Sequence, residues 1–192
     1  VDLYLEAGEP ITAEVVGQVV EGTRVVGASE LAQALGAKDA GRAMQVVDGL
    51  YGTNVYLPAV MWAIQRHFWT LYKIHVLANE RPELIREFRQ AQRSRDRDGQ
   101  NRLGVRIGVA VGLMTEQQSK RVYPVLIKPR LVDQAASFTD DHYRAVFRWL
   151  ADIDVGVKTG GIDGSRSMLQ MLCVRIMHGP VDESDRRAYQ AG

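Results

Sequence analysis

The amino-acid sequence predicts an all-α, bundle-like fold, and three observations predict it. Apolar residues recur every three to four positions along several segments, the spacing that gathers them on one face of a helix. Ser, Thr, Asn or Pro stand before those segments and Gly after several of them, where helices start and stop. The 192 residues are 46% hydrophobic, enough for one domain, or one with a piece of a second, to bury a core.

The elements follow in order. Pro10-Ile11-Thr12 reads as a turn and cap before a short stripe of Ile11, Val15, Val16, Val19 and Val20. Gly22 to Gly27 is a connector. Ser29 is placed to cap a helix through Leu35, with Gly36 at its end. Lys38 to Leu50 forms the next helix. Asn54 caps a long one with Pro58 in its first turns and Leu57, Met61, Ile64, Phe68, Leu71, Tyr72 and Val76 on its inner face. Pro82 opens another through about Ala91. Gln92 to Arg102 is polar, dense in Arg and Asp, and reads as an exposed loop or hinge. Leu103 to Met114 reads two ways. Val105, Ile107, Val109, Val111 and Leu113 alternate as in a strand, while Gly104, Gly108 and Gly112 recur every four residues as a small stripe on a helix. Propensity favours the strand, because glycine inside a helix costs about 1 kcal/mol against alanine. Pro129 starts a helix through Ser137. Thr139 caps the next, Asp140 to Lys158, with Tyr143, Val146, Phe147, Leu150, Ile153 and Val157 inward. After a glycine-rich turn, a last helix turns Met168, Met171, Leu172 and Ile176 to the core. The tail after Pro180 is polar and is expected to fray.

Charge and composition exclude several function classes. The formal net charge is +1, so no global basic field draws in nucleic acid or an anionic membrane, and any such contact must be local. Cys173 is the only cysteine; one thiol makes no intrachain disulfide and no cysteine-rich zinc site, which fits a reduced, cytoplasmic home. The most apolar run, Leu103 to Met114, is too short to span a bilayer and carries Arg106. The first residues do not read as a signal peptide, and a start at Val1 rather than Met leads us to expect a piece of a longer protein.

The search for chemistry finds no catalytic constellation. His67 and His75 lie eight residues apart on one helix, about 12 Å, too far to share a metal. His142 and His178 lack ligand spacing. Gly156-Val157-Lys158-Thr159-Gly160-Gly161 has the wrong order for a phosphate loop, since the glycines must precede the lysine at a helix N-terminus; a helix stop explains them better. Ser165 and Ser167 sit in no nucleophile-elbow frame. Asp154 and Lys158 form a favourable i, i+4 ion pair, worth tenths of a kcal/mol if exposed. No cofactor or metal ligand set emerges. Ser29 to Gly36 followed by Lys38 to Val47 resembles a helix-turn-helix, with Lys38, Arg42 and Gln45 as candidate base readers opposed by Asp39 and Asp48. Arg93, Arg95, Arg97 and Arg102 are half cancelled by Asp96 and Asp98 and read as a solvated segment.

The order of the pieces carries one further signal. The run Ser29 to Ala43 opens a helical pair, and Leu57 to Leu77 and a helix to Gln92 follow. Then come Tyr123-Pro124, Lys128-Pro129-Arg130-Leu131-Val132-Asp133-Gln134-Ala135, and Leu150-Ala151-Asp152-Ile153-Asp154-Val155-Gly156-Val157-Lys158-Thr159-Gly160 with a final apolar helix. From about Leu31 to Met177 this resembles the C-terminal region of the delta subunit of bacterial DNA polymerase III, a clamp-loader component. The L-A-D-x-D-x-x-x-K-T-G ending is its most specific stretch. The sequence departs from the pattern between Thr115 and Tyr123 and in the Arg/Asp segment.

The resemblance implies that Val1 to about Arg24 ends a small helical lid-like domain. It implies that residues 25–192 form a helical collar domain, and it tips Leu103 to Met114 toward helix. It implies a noncatalytic part of a DNA polymerase holoenzyme, without cofactors, that assembles with the gamma/tau and delta prime loader subunits. The sliding clamp would be gripped only through an N-terminal domain not in this chain, and DNA would be engaged through the complex. The packing set expected of the penultimate helix is Tyr143, Phe147, Leu150, Asp154 and Lys158. The rival expectation is a DNA-binding helix-turn-helix regulator.

Overall fold

A computed structural model of the chain describes residues 27–52, 57–115, 117, 127, 129–162 and 164–180. Among them the secondary structure is helical, without strands. The helices are α1 (27–36), α2 (Ala40–Gly52), α3 (Leu57–Glu80), α4 (Pro82–Arg93), α5 (Arg97–Ala110), α6 (Pro129–Ala136), α7 (Asp140–Lys158) and α8 (Arg166–His178). The expectations for the Ile11–Val20 stripe, the boundary near Arg24, Asn54, Tyr123-Pro124 and the tail after Pro180 lie outside the described residues. The chain forms two compact units, one of Val1–His67 with Arg144–Gly192 and one of Phe68–Tyr143, so α3 and α7 each contribute to both.

In the first unit, α1 buries Ala28, Leu31, Ala32, Ala34 and Leu35. It already runs through Ser29, so Ser29 is an exposed residue within the helix and not its cap. Nor is Gly36 its stop. Lys38, at φ 55°, takes the left-handed position, and the amides of Lys38 and Asp39 donate to Leu35 and Ala34 carbonyls at 3.0 Å. This doubly bonded ending satisfies carbonyls that the helix leaves open. Asp39 then accepts the Arg42 amide at 2.9 Å and starts α2. The buried face of α2, Ala43, Val46, Val47 and Leu50, comes from a helix packed on α8. Tyr51 Oη donates to the Gly164 carbonyl at 2.7 Å, and Arg166 meets Asp48 at 2.6 Å. Ser165 caps α8 by accepting the Met168 amide. Leu169, Leu172, Cys173 and Ile176 face inward at helical spacing, so Met171, expected in the core, is 54% exposed. Met168 is half-buried. The rhythm that includes Cys173 wins over the one that runs through the methionines.

In the second unit, α4 packs against both α5 and α6. Pro82 opens α4, and Leu84, Ile85, Phe88 and Ala91 are buried. The polar run 92–102 is not a loop. Gln92 and Arg93 finish α4, Arg95 at φ 57° stops it, and Asp96 accepts the Gly99 amide at 2.9 Å to begin α5. The Arg and Asp residues there are exposed, and Arg95 and Asp96 serve as helix punctuation in the three-residue turn 94–96. Helix also wins at 103–114: α5 runs to Ala110, and Gly104, Ile107, Gly108 and Val111 are buried while Leu113 is exposed. Those buried positions follow i, i+3, i+4, i+7, not alternation. Thr139 Oγ1 accepts the His142 amide at 3.3 Å, and α7 starts at Asp140, where the sequence places it.

Candidate functional site

The five residues singled out on α7 form a stripe at helical spacing whose character changes along its length. Tyr143 is fully buried in the second unit and donates its hydroxyl to the Ala135 carbonyl at 3.0 Å. Burial raises its pKa far above the usual tyrosine range, and Asp140 adds to the shift. In the first unit, Leu150 is buried, Phe147 is half-buried, and Asp154 and Lys158 are exposed and paired at 2.7 Å. Lys158 ends α7. Gly160, at φ 72°, follows as the left-handed stop, and the Gly161 and Ile162 amides donate to the Gly156 carbonyl at 2.9 and 3.0 Å. The glycine-rich segment is thus a helix C-terminus, with a lysine suited to its dipole.

Around Tyr143 lies an aromatic cluster that reading the helices one at a time misses. Phe138 meets Phe68, His142 and Tyr143 at centroid distances of 5.3, 4.8 and 5.6 Å, and Tyr72 and His75 each stand 5.3 Å from Tyr143. His75 Nε2 is 3.4 Å from Asp140 Oδ1, a contact that becomes an ion pair when the imidazole is protonated. The sequence signal was the i, i+4, i+7 set Phe68, Tyr72, His75 facing the run Phe138 to Tyr143.

The remaining candidates separate. Among the described residues no three His, Cys, Asp or Glu side chains group as metal ligands. No described helix is long and apolar enough to cross a membrane. Cys173 is fully buried, and desolvation pushes its thiol up to about 12, partly offset by a backbone hydrogen bond; that is the opposite of an activated nucleophile. Of the candidate base readers, Lys38 occupies the turn, while Arg42 pairs with Glu30 and reaches Gln45 Oε1 at 3.4 Å.

Two open clefts lie in the second unit. One, of about 470 Å³, is lined by Glu87, Ser94, Asp96, Arg102 and Arg106 among others, with Arg106 and Glu87 3.5 Å apart. The other, of about 390 Å³, is lined by Trp69, Tyr72, Lys73, Val76, Leu77, Glu80, Ala110 and Val111. Among the described residues, the large apolar side chains left exposed are Trp62, Trp69, Leu113, Val155, Met171 and Val174. No protein-family model, curated protein or solved structure matches this chain.

Proposed function

We propose that this chain is a noncatalytic assembly module, the collar region of a clamp-loader subunit of the delta type. The observation that carries the reading is the order of the helices. A short pair, a long helix, a Pro-initiated helix, the Pro129–Ala136 helix, and α7 with its Asp154-x-x-x-Lys158-Thr159-Gly160 stop before a final apolar helix follow the order of the delta-like sequence pieces. The mechanism is packing. Helix faces join unlike subunits and hold the ATP-driven parts of the loader in register, and the protein itself transfers no group. Met171 and Val174, exposed three residues apart on α8, are the kind of apolar side chains that helix–helix docking would cover. In this reading gamma/tau and delta prime are the partners and the cytoplasm is the compartment. The sliding clamp and DNA are engaged through the rest of the complex.

Co-purification of the full chain with the C-terminal regions of the other loader subunits tests this. A stable complex is the expected result. A folded chain, helical by circular dichroism, that fails to associate overturns the reading. Salt-sensitive, sequence-selective binding to duplex DNA that is lost in Lys38→Ala would favour the helix-turn-helix regulator instead.

A further inference from the structure

The hairpin of α4 and α5 lies wholly within the second unit, and its two helices pack on each other. Its charge differs from that of the chain around it. Residues 81–106 hold eight arginines, no lysine and four acids, Glu83, Glu87, Asp96 and Asp98, so the hairpin carries +4 in a chain of +1. Two of those acids are already engaged. Asp96 accepts the Gly99 amide at 2.9 Å as the cap of α5, and Glu87 meets Arg106 at 3.5 Å. The four arginines nearest the turn, Arg93, Arg95, Arg97 and Arg102, are all exposed, and none makes an ion pair among the described residues. Arg102 and Arg106 sit four apart on α5 and line the cleft of about 470 Å³ together with Ser94 and Asp96 of the turn. Arg93, Arg95 and Arg97 flank those two turn residues in the chain. Arg95 holds φ 57°, a backbone that glycine takes without strain, yet a cation occupies it. Phe88 is the one aromatic residue of the hairpin, and it is fully buried.

We propose that the turn end of this hairpin, through Arg93, Arg95, Arg97 and Arg102, grips the phosphate backbone of duplex DNA without reading its sequence. Arginine's planar fork donates two parallel N–H bonds to a phosphate, which a lysine ammonium does not, and every cation of the hairpin is arginine. Single strands are held by stacking on exposed aromatic rings, and this hairpin exposes none. Backbone contacts hold a protein on the duplex and carry no sequence information. Local charge suffices for such a contact, because each arginine that meets a phosphate releases counterions whatever the net charge of the chain. The inference stands apart from the collar reading and needs no loader subunit. It also stands apart from the helix-turn-helix reading, whose candidate readers lie on other helices.

The test is fluorescence anisotropy of the full chain with two labelled duplexes of unrelated sequence, each of about 20 base pairs, or two helical turns. Binding at low salt with equal affinity for both is expected. Log affinity should fall with log salt at a slope of about −3.6, the value for four phosphates. Arg93→Gln, Arg95→Gly, Arg97→Gln and Arg102→Gln should each make that slope shallower by about 0.9. Arg95→Gly is the most informative of the four, because it removes a charge while relieving the backbone, so weaker binding cannot be traced to a weaker fold. Arg148→Gln removes the same charge from an exposed position of α7 in the first unit and should leave the slope unchanged. No binding at low salt overturns the proposal. So does a slope that the four variants leave unchanged, or that Arg148→Gln makes shallower by as much. Preference for one duplex sequence overturns it in favour of base reading, and tighter binding of a single strand of equal length in favour of a single-strand site. Equal competition by polyglutamate overturns it in favour of an acidic protein partner.

Discussion

At the scale of single residues, one stripe on α7 holds both a core anchor and solvent-facing decoration. The Tyr143 hydroxyl ends on a carbonyl inside the second unit. Tyr143→Phe is expected to cost about 1 kcal/mol, the net worth of one buried hydrogen bond, read as a lower urea midpoint with an unchanged slope. Asp154→Asn, by contrast, breaks a pair with side chains 49% and 71% exposed, and should change stability by no more than a few tenths of a kcal/mol. Cys173 supplies a pH dependence. Its folded pKa is raised from 9.0 to about 12, so the folded state holds the proton more tightly than the unfolded one. Its contribution is fully present below about pH 9 and is lost as pH rises through about 12. Tyr143 shifts in the same direction and adds alkaline sensitivity at higher pH. The decline of urea midpoint with rising alkaline pH should be shallower in Cys173→Ala, whatever the packing cost of that change at neutral pH. The inward position of Tyr143 was legible from its spacing with Val146 and Leu150. Its neighbours Tyr72 and His75 were not, because they come from α3, distant in sequence.

At the scale of elements, four helices end alike. After α1, α4, α5 and α7 a residue at positive φ, namely Lys38, Arg95, Gly112 and Gly160, donates its amide three residues back, and the next residue donates five back. Glycine fits that backbone without strain, and a side chain there costs roughly 1–2 kcal/mol. Gly160→Ala should therefore lower stability by about that amount, and Arg95→Gly should raise it by about 1 kcal/mol, both measured by chemical denaturation. This explains which helix ends the sequence disclosed. A glycine stop announces itself at Gly160, but Lys38 and Arg95 hide theirs, so the sequence places the α1 stop at Gly36 and shows Gln92 to Arg102 as a loop. Asp96 is the complementary signal. Its carboxylate caps α5, and a Cβ on Gly99 would collide with it, at 2.1 Å from Oδ2. Asp96→Ala should cost about 1 kcal/mol. The strand-like alternation of Val105 to Leu113 gave way to helix, with Gly104 and Gly108 on the buried side and Gly112 exposed just past the helix end.

At the scale of the molecule, all-helical character was legible from periodicity and capping, which are local. Division into two units was not, since α3 and α7 each run as one amphipathic stripe and the boundary falls within them. The proposed function rests on the order of motifs alone. Helix faces that assemble with partners carry the same apolar residues as faces that fill a core, so nothing local tells Met171 from Leu172 until the fold is drawn. The single thiol has a practical use. Cys173 lies on the buried side of α8, a helix that packs on α2, and it is the one cysteine of the chain. A thiol-modifying dye can therefore reach it only when that buried side opens, and its labelling rate becomes a clock for opening of the first unit. The second unit has no cysteine and stays silent to the dye. Labelling rates compared with loss of total helical signal across denaturant would thus show whether the two units come apart together or in turn.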